Sequence, residues 1–405
     1  MPTSVCDLLA ELGEIGRGER GITRPLFSTE EYRARALIAR AGAELGCTVV
    51  QDPIGNVFVR RPGREDRPPL MFGSHLDTVA DGGAYDGAYG VAGGLCALAW
   101  AIEHDIVTRH PLELAAWAGE EGSRFAVGCL GSSVYAGWER LDHALALRDD
   151  DGITVREALA SRSGLLADIP VRQGFPKPAA YAELHIEQGP VLERAGVPLG
   201  VVTAIAGMHR YTVTVAGEAG HAGTVPMGVR SDAFSGVAEF ALAVEAAARE
   251  LDGCVATTGW IDVSPNQTNI IPGKVACRVD ARSVDAEVLL EIDRRIGAAA
   301  TAIARRRGLR IDVARFEARR PSPLDAGLQA IVRDTLERHA WGHLDLPSGA
   351  VHDAMCLASI APAVMLFVPS IAGASHVGHE RTEPADLERG VEALTHSLLA
   401  IDRAL

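Results

Sequence analysis

Residues 69–87 read PLMFGSHLDTVADGGAYDG, an apolar run that stops on His75-Leu76-Asp77 and then enters a glycine-dense turn carrying Asp86. Three other apolar runs behave in a similar way. Leu112 to Ala118 halts at Glu120-Glu121, Ala180 to Leu184 halts at His185, and Ala363 to Val368 reaches His376 after Pro369 and a glycine-bearing turn. Short apolar runs separated by helical segments predict a largely parallel sheet flanked by helices. Open α/β sheets gather their chemistry beyond the carboxyl ends of the strands, which is where all four polar clusters fall.

The flanking sequence fits this frame. YRARALIARAGAELG, within Glu30–Gly46, repeats its apolar residues at helical spacing before β-like runs at Cys47–Val50 and Asn56–Arg60. Ala88 to Ile102 carries no charge and contains Gly90, Gly93 and Gly94. It is shorter than the roughly 20 apolar residues that span a bilayer and reads as a buried helix.

From Met208 to about Arg320 the pattern changes. Strand Tyr211–Val215, an Ala-rich helix Ser231–Glu250, strands Val255–Val263 and Lys274–Arg282, helix Asp285–Arg307 and strand Leu309–Ala314 predict an α+β layer, ferredoxin-like in order. The expected division is a catalytic domain over 1–207 and 323–405, interrupted by a second domain over 208–322.

The chain has 405 residues, 47% hydrophobic and 23% charged, ample for a large core. Its formal charge of −14 disfavours nucleic acid and anionic lipid surfaces as partners. Seven scattered cysteines without a CxxC pair suggest reduced thiols, and the acid-bearing start MPTSVCDLLAELGEIG lacks the marks of a secretory signal, so a cytoplasmic location is expected.

Each chemical motif has an ordinary reading. HxD pairs are often surface pairs, Asp86 suits a helix N-cap, an EE pair suits a solvated loop, and lone histidines are common. Together, however, His75, Asp86, Glu121, His185 and His376 form an imidazole and carboxylate set without thiolate, suited to zinc, manganese, cobalt or nickel in an open hydrolytic site. Glu120 beside them is placed to act as a base, and Asp77 to orient His75.

GSHLDTVADGGAYDGAYGV, EEGSRF, ELHIEQGPVLE, GHAGTVPM, TNIIPG and SHVGHE, in this order, resemble the hydantoinase/carbamoylase amidohydrolases of the M20 metallopeptidase clan. The resemblance implies two divalent cations bridged by Asp86, one also held by His75 and His185 and the other by Glu121 and His376. It implies Glu120 as general base and Asp77 as orienter. It further implies Gln188, His221, Asn269, Arg282, Gly349 and Ala350 as substrate-binding residues, with His221 also catalytic.

The inserted domain would then be a lid and dimerisation domain, in a homodimer. HIEQGP is the form typical of ureido hydrolases in this resemblance, so the expected reaction is hydrolysis of the carbamoyl C–N bond of an N-carbamoyl-L-amino acid or similar ureido acid. Allantoate or a small peptide as substrate, and a non-catalytic metal-binding scaffold, are the alternatives; the intact Glu120 argues against the scaffold. Two departures stand out: Val351 where such enzymes commonly have glycine, and Gly378 where proline is frequent. His379 is read as a bystander, and Arg278 as an ordinary solvent-facing residue.

Overall fold

The computed structural model describes residues 4–160 and 164–405, which fall into two compact units, Met1–Thr203 with Leu324–Leu405, and Ala204–Pro323.

The first unit is built on a sheet whose order is Thr48–Gln51, Val57–Arg61, Leu112–Trp117, Leu70–His75, Ala180–Ile186, Ala363–Val368 and Leu199–Ile205. The four strands from Leu112–Trp117 to Ala363–Val368 run parallel, and those on either side join antiparallel. All four parallel strands are buried along their whole length, because helices cover the sheet and leave neither face wet. Their common direction puts His75, Trp117, Ile186 and Val368 at one edge, with His75 opposite Trp117 and His185 opposite Phe367.

The charge-free stretch forms the helix Ala88–Glu103, packed against the C-terminal helix Pro384–Ala404, with Tyr89 Oη donating to the Leu387 carbonyl at 2.8 Å. Its N-cap is Gly87, with no side-chain cap. The capping role open to Asp86 is therefore not taken, which leaves its carboxylate for other partners.

The second unit has four antiparallel strands in the order Arg310–Arg319, Gly207–Ala216, Lys274–Ser283, Val255–Ser264, with helices Ala233–Arg249 and Ala286–Arg307. Strand, helix, strand, strand, helix, strand in this spatial order is the split βαβ arrangement. Asp232 caps the first helix through the Phe234 and Ser235 N–H groups, and Asp285 caps the second through Glu287 N–H. Val213, Val215, Val275, Cys277 and Val279 meet Phe240, Val244, Leu289, Ile292 and Ile296 in the core. On the Lys274–Ser283 strand, Arg278, Asp280 and Arg282 alternate with these buried residues and form a polar face.

No helix among the described residues is long and apolar enough to cross a membrane. All seven cysteines are free.

Candidate metal centre and active site

The carboxyl edge of the parallel strands brings His75, Asp86, Glu120, Glu121, His185 and His376 together. Asp86 is the pivot. Its Oδ1 lies 3.3 Å from His185 Nε2 and 3.6 Å from His75 Nε2, while its Oδ2 lies 3.3 Å from His376 Nε2. Glu121 Oε2 is 3.4 Å from the same His376 nitrogen.

Two groups of donor atoms thus share one carboxylate: His75, Asp86 and His185, and Asp86, Glu121 and His376. Ligands about 2.1 Å from a tetrahedral cation are separated by about 3.4 Å, so these spacings fit a divalent ion in each group. A third cluster, Glu183, His185 and His352, has its donors committed elsewhere. Glu183 accepts from Ser74 Oγ and Ala354 N–H, both at 2.8 Å, and His352 Nε2 is 2.8 Å from Ser348 Oγ.

Local sequence explains how the groups fit. Gly87 has φ +65°, and a Cβ there would stand 2.4 Å from His75 Nε2, so only glycine lets the turn close over the imidazole. Gly378 is equally constrained: a Cβ would stand 1.8 Å from the Arg20 carbonyl oxygen, which explains glycine beside the His376 loop. His376 is the open member, its side chain 51% exposed, whereas His75 and His185 are buried. His379 is exposed.

Burial alone would raise the Asp86 carboxyl, yet the imidazoles of His185, His376 and His75 hold it well below its ordinary value. Glu120 behaves oppositely. Burial, reinforced by the charges of Glu121, Asp353 and Asp86 against the pull of His75, pushes its carboxyl well above the usual range. Burial and then the Asp86 charge push the neighbouring Glu121 up as well, to about 7, so the opposed environments are those of Asp86 and Glu120.

Asp77 holds the second imidazole nitrogen of His75 through its backbone rather than its carboxylate. His75 Nδ1 is 3.0 Å from the Asp77 backbone carbonyl and 3.6 Å from its carboxylate. That carboxylate instead accepts the N–H groups of Glu120 and Glu121, each at 3.2 Å, and so fixes the EE turn.

Gln188 sits beside the pivot, its Nε2 donating to Asp86 Oδ2 at 2.7 Å and its buried Oε1 without a hydrogen-bond partner. Ala350 follows the strand His343–Ser348, its N–H bonded to Ser348 Oγ at 3.1 Å, and Gly349 precedes it with open space where a side chain would stand.

His221, Asn269 and Arg282 belong to the second unit. There the strand Gly220–His221 pairs with Ile270–Ile271, and Asn269 C=O accepts the Ala222 N–H at 3.0 Å, so His221 and Asn269 share one short ladder. His221 Nδ1 accepts the Gly223 N–H at 3.0 Å, which leaves Nε2 as the free ring nitrogen. Arg282 grips Asp280 through Nε at 2.7 Å and Nη2 at 3.0 Å.

Sequence reading missed Glu380, Asp353 and Cys129. Glu380 is the last residue of SHVGHE, and its Oε1 accepts the N–H groups of Tyr85 and Asp86. Asp353 is buried, takes the Ser132 hydroxyl at 2.5 Å on one oxygen and leaves the other unpartnered. Burial and then the Glu183 charge push its carboxyl up to about 8.

Residues 71–400 match the family model described as Peptidase family M20/M25/M40. An N-carbamoyl-L-amino acid amidohydrolase of Geobacillus stearothermophilus is 38% identical over 395 residues, 96% of each chain. An allantoate amidohydrolase of Escherichia coli (strain K12) is 36% identical over 380 residues, 92% of this chain and 91% of its own. The crystal structure of a hydantoinase/carbamoylase family amidase from Burkholderia multivorans superposes with a TM-score of 0.92 at 38% identity, covering 98% of this chain and 96% of that one.

Proposed function

The chain belongs to peptidase family M20/M25/M40, and from that premise we propose that it is a two-metal amidohydrolase acting on the carbamoyl C–N bond of N-carbamoyl-L-amino acids or similar ureido acids. One molecule of water is consumed, and the amino acid, ammonia and carbon dioxide are released. The observation that carries this reading is Asp86, whose two oxygens face two separate sets of nitrogen and oxygen donors.

In this reading His75 and His185 hold one cation, Glu121 and His376 the other, and Asp86 both. Zinc is the first choice for this donor set, with manganese, cobalt and nickel as alternatives. Bound there, the cations would acidify water and polarise the scissile carbonyl. Glu120 takes the proton of the attacking water and returns it to the leaving nitrogen, a task suited to a carboxyl whose surroundings raise its proton affinity. Gln188 Oε1, a buried acceptor without a donor, suits an N–H of the ureido group.

Arg282 with Asn269 binds the substrate carboxylate, His221 donates to the developing oxyanion, and Gly349 and Ala350 border the substrate. The second unit serves as lid and dimerisation domain of a cytoplasmic homodimer. The Escherichia coli relative keeps allantoate as the rival substrate. A hydrolysis panel of N-carbamoyl-L-amino acids, allantoate and dipeptides, run before and after chelation and metal return, tests the reading. Ureido acids should turn over only with metal restored; full turnover by metal-free protein overturns it.

A further inference from the structure

Residues 119–130 form a loop closed at its neck by three main-chain bonds: Cys129 N–H to Glu120 C=O at 2.8 Å, Leu130 N–H to Gly119 C=O at 3.0 Å, and Gly131 N–H to Ala118 C=O at 2.7 Å. Cys129 adopts φ +56°, a left-handed conformation that costs a non-glycine residue free energy. It is completely buried, and its Sγ lies 3.5 Å from Glu120 Oε1. The other oxygen, Glu120 Oε2, faces the metal cluster, 3.7 Å from His75 Nε2.

We propose that Cys129 is a positioning residue for Glu120: its thiol donates a hydrogen bond to Oε1, fixes the carboxylate plane and leaves Oε2 to handle the proton of the attacking water. The inference deepens the function proposed above and rests on Glu120 being the base.

A thiol suits this task for a chemical reason. It is a weak donor, so it can orient a carboxylate without stabilising the charged form as strongly as a hydroxyl or amide would. It also stays protonated here. Hydrogen bonding with Cys356, burial and the neighbouring Glu120 charge all push its pKa well above the ordinary thiol value, and of the two partners competing for its single proton the carboxylate oxygen is a stronger acceptor than the Cys356 sulfur.

The test compares Cys129→Ser, which keeps a donor, with Cys129→Ala and Cys129→Gly, which remove it; glycine also relieves the left-handed backbone and guards against misfolding. Each variant is assayed for metal content, kcat and KM. With metal content and KM unchanged, kcat should fall about tenfold in the alanine and glycine variants, while the serine variant keeps at least about a third of wild-type kcat. Wild-type kcat in the glycine variant, or equal loss in all three, overturns the proposal.

A second readout needs no substrate. The infrared S–H stretch lost in Cys129→Ser should shift to higher frequency in Glu120→Gln, because a neutral amide oxygen is the weaker acceptor. A band unmoved by Glu120→Gln overturns the hydrogen bond itself. If no substrate in the panel turns over, the functional reading falls, while this band still decides the thiol contact.

Discussion

Glu380 secures Asp86 through the main chain: its Oε1 accepts the Asp86 N–H at 3.0 Å and the Tyr85 N–H at 2.9 Å, while Ser375 Oγ lies 3.1 Å from its Oε2 and 3.0 Å from Asp86 Oδ2. The pivot is thus set by a carboxylate 294 residues away in the chain. Glu380→Ala should weaken metal retention about tenfold or more, the usual cost of losing support behind a ligand. Glu380→Gln, which keeps an acceptor oxygen, should retain most of it. Competition with a chromogenic chelator measures both, and unchanged affinity in the alanine variant would remove Glu380 from the site's support.

Glu120→Gln should leave metal stoichiometry intact, since the donors remain, and lower kcat by at least about 100-fold for want of a general base. Elemental analysis beside steady-state kinetics separates the two effects. Parallel loss of metal and rate would show that Glu120 is a ligand.

Arg282 is already paired with Asp280, so a substrate carboxylate must share or replace that partner. Arg282→Ala should reduce kcat/KM for carboxylate-bearing ureido substrates at least about tenfold more than for the corresponding amides. Equal loss on both would make Arg282 a structural member of the Arg210–Asp280–Arg282 chain.

If the protein works as a homodimer with His221 acting on the neighbouring subunit, mixing inactive His221→Ala chains with inactive Glu120→Gln chains restores partial activity. One cleft of each mixed dimer then holds both wild-type residues. Verified mixed dimers that stay inactive would confine His221 to its own subunit or exclude it from catalysis.

Asp52 predicts a pH effect on stability. Its carboxylate accepts the N–H groups of Ile54, Gly55 and Asn56 and the Asn56 side-chain amide, yet burial outweighs them and pushes its pKa from 3.8 to about 6. The folded chain keeps this proton where the unfolded chain has released it. Its stabilising contribution is therefore present below pH 3.8 and lost as pH rises to about 6. Relative to Asp52→Asn, wild-type unfolding free energy should decline across that window and run parallel above it. Denaturant titrations at several pH values check this, and a difference that rises with pH contradicts it.

The candidate centre was largely legible because apolar strands ending abruptly in His, Asp or Glu leave a local mark. His75, Glu120 and His185 lie on or just after such strands. The supporting contacts leave none. Asp77 reaching the amides of Glu120 and Glu121, Glu380 reaching Asp86, and Asp280 occupying Arg282 depend on backbone approach or side-chain geometry that no hydrophobic period encodes. The antiparallel strand Leu199–Ile205 leaves no such mark either, because LGVVTAI lacks a polar terminus, and the C-terminal helix Pro384–Ala404 carries no residue of the centre.

The turn at Gly87 limits where this scaffold can vary. A single methyl group there has nowhere to go but into the His75 ring, so Gly87 cannot gain a side chain while His75 keeps its imidazole. Gly349 is the opposite case, with no atom within 4 Å of where its side chain would stand. Substitutions there meet no such obstacle. If Gly349 and Ala350 border the substrate as proposed, new substrate preferences are expected to arise at Gly349 while the turn at Gly87 stays fixed, a division that directs mutagenesis libraries to one bend and away from the other.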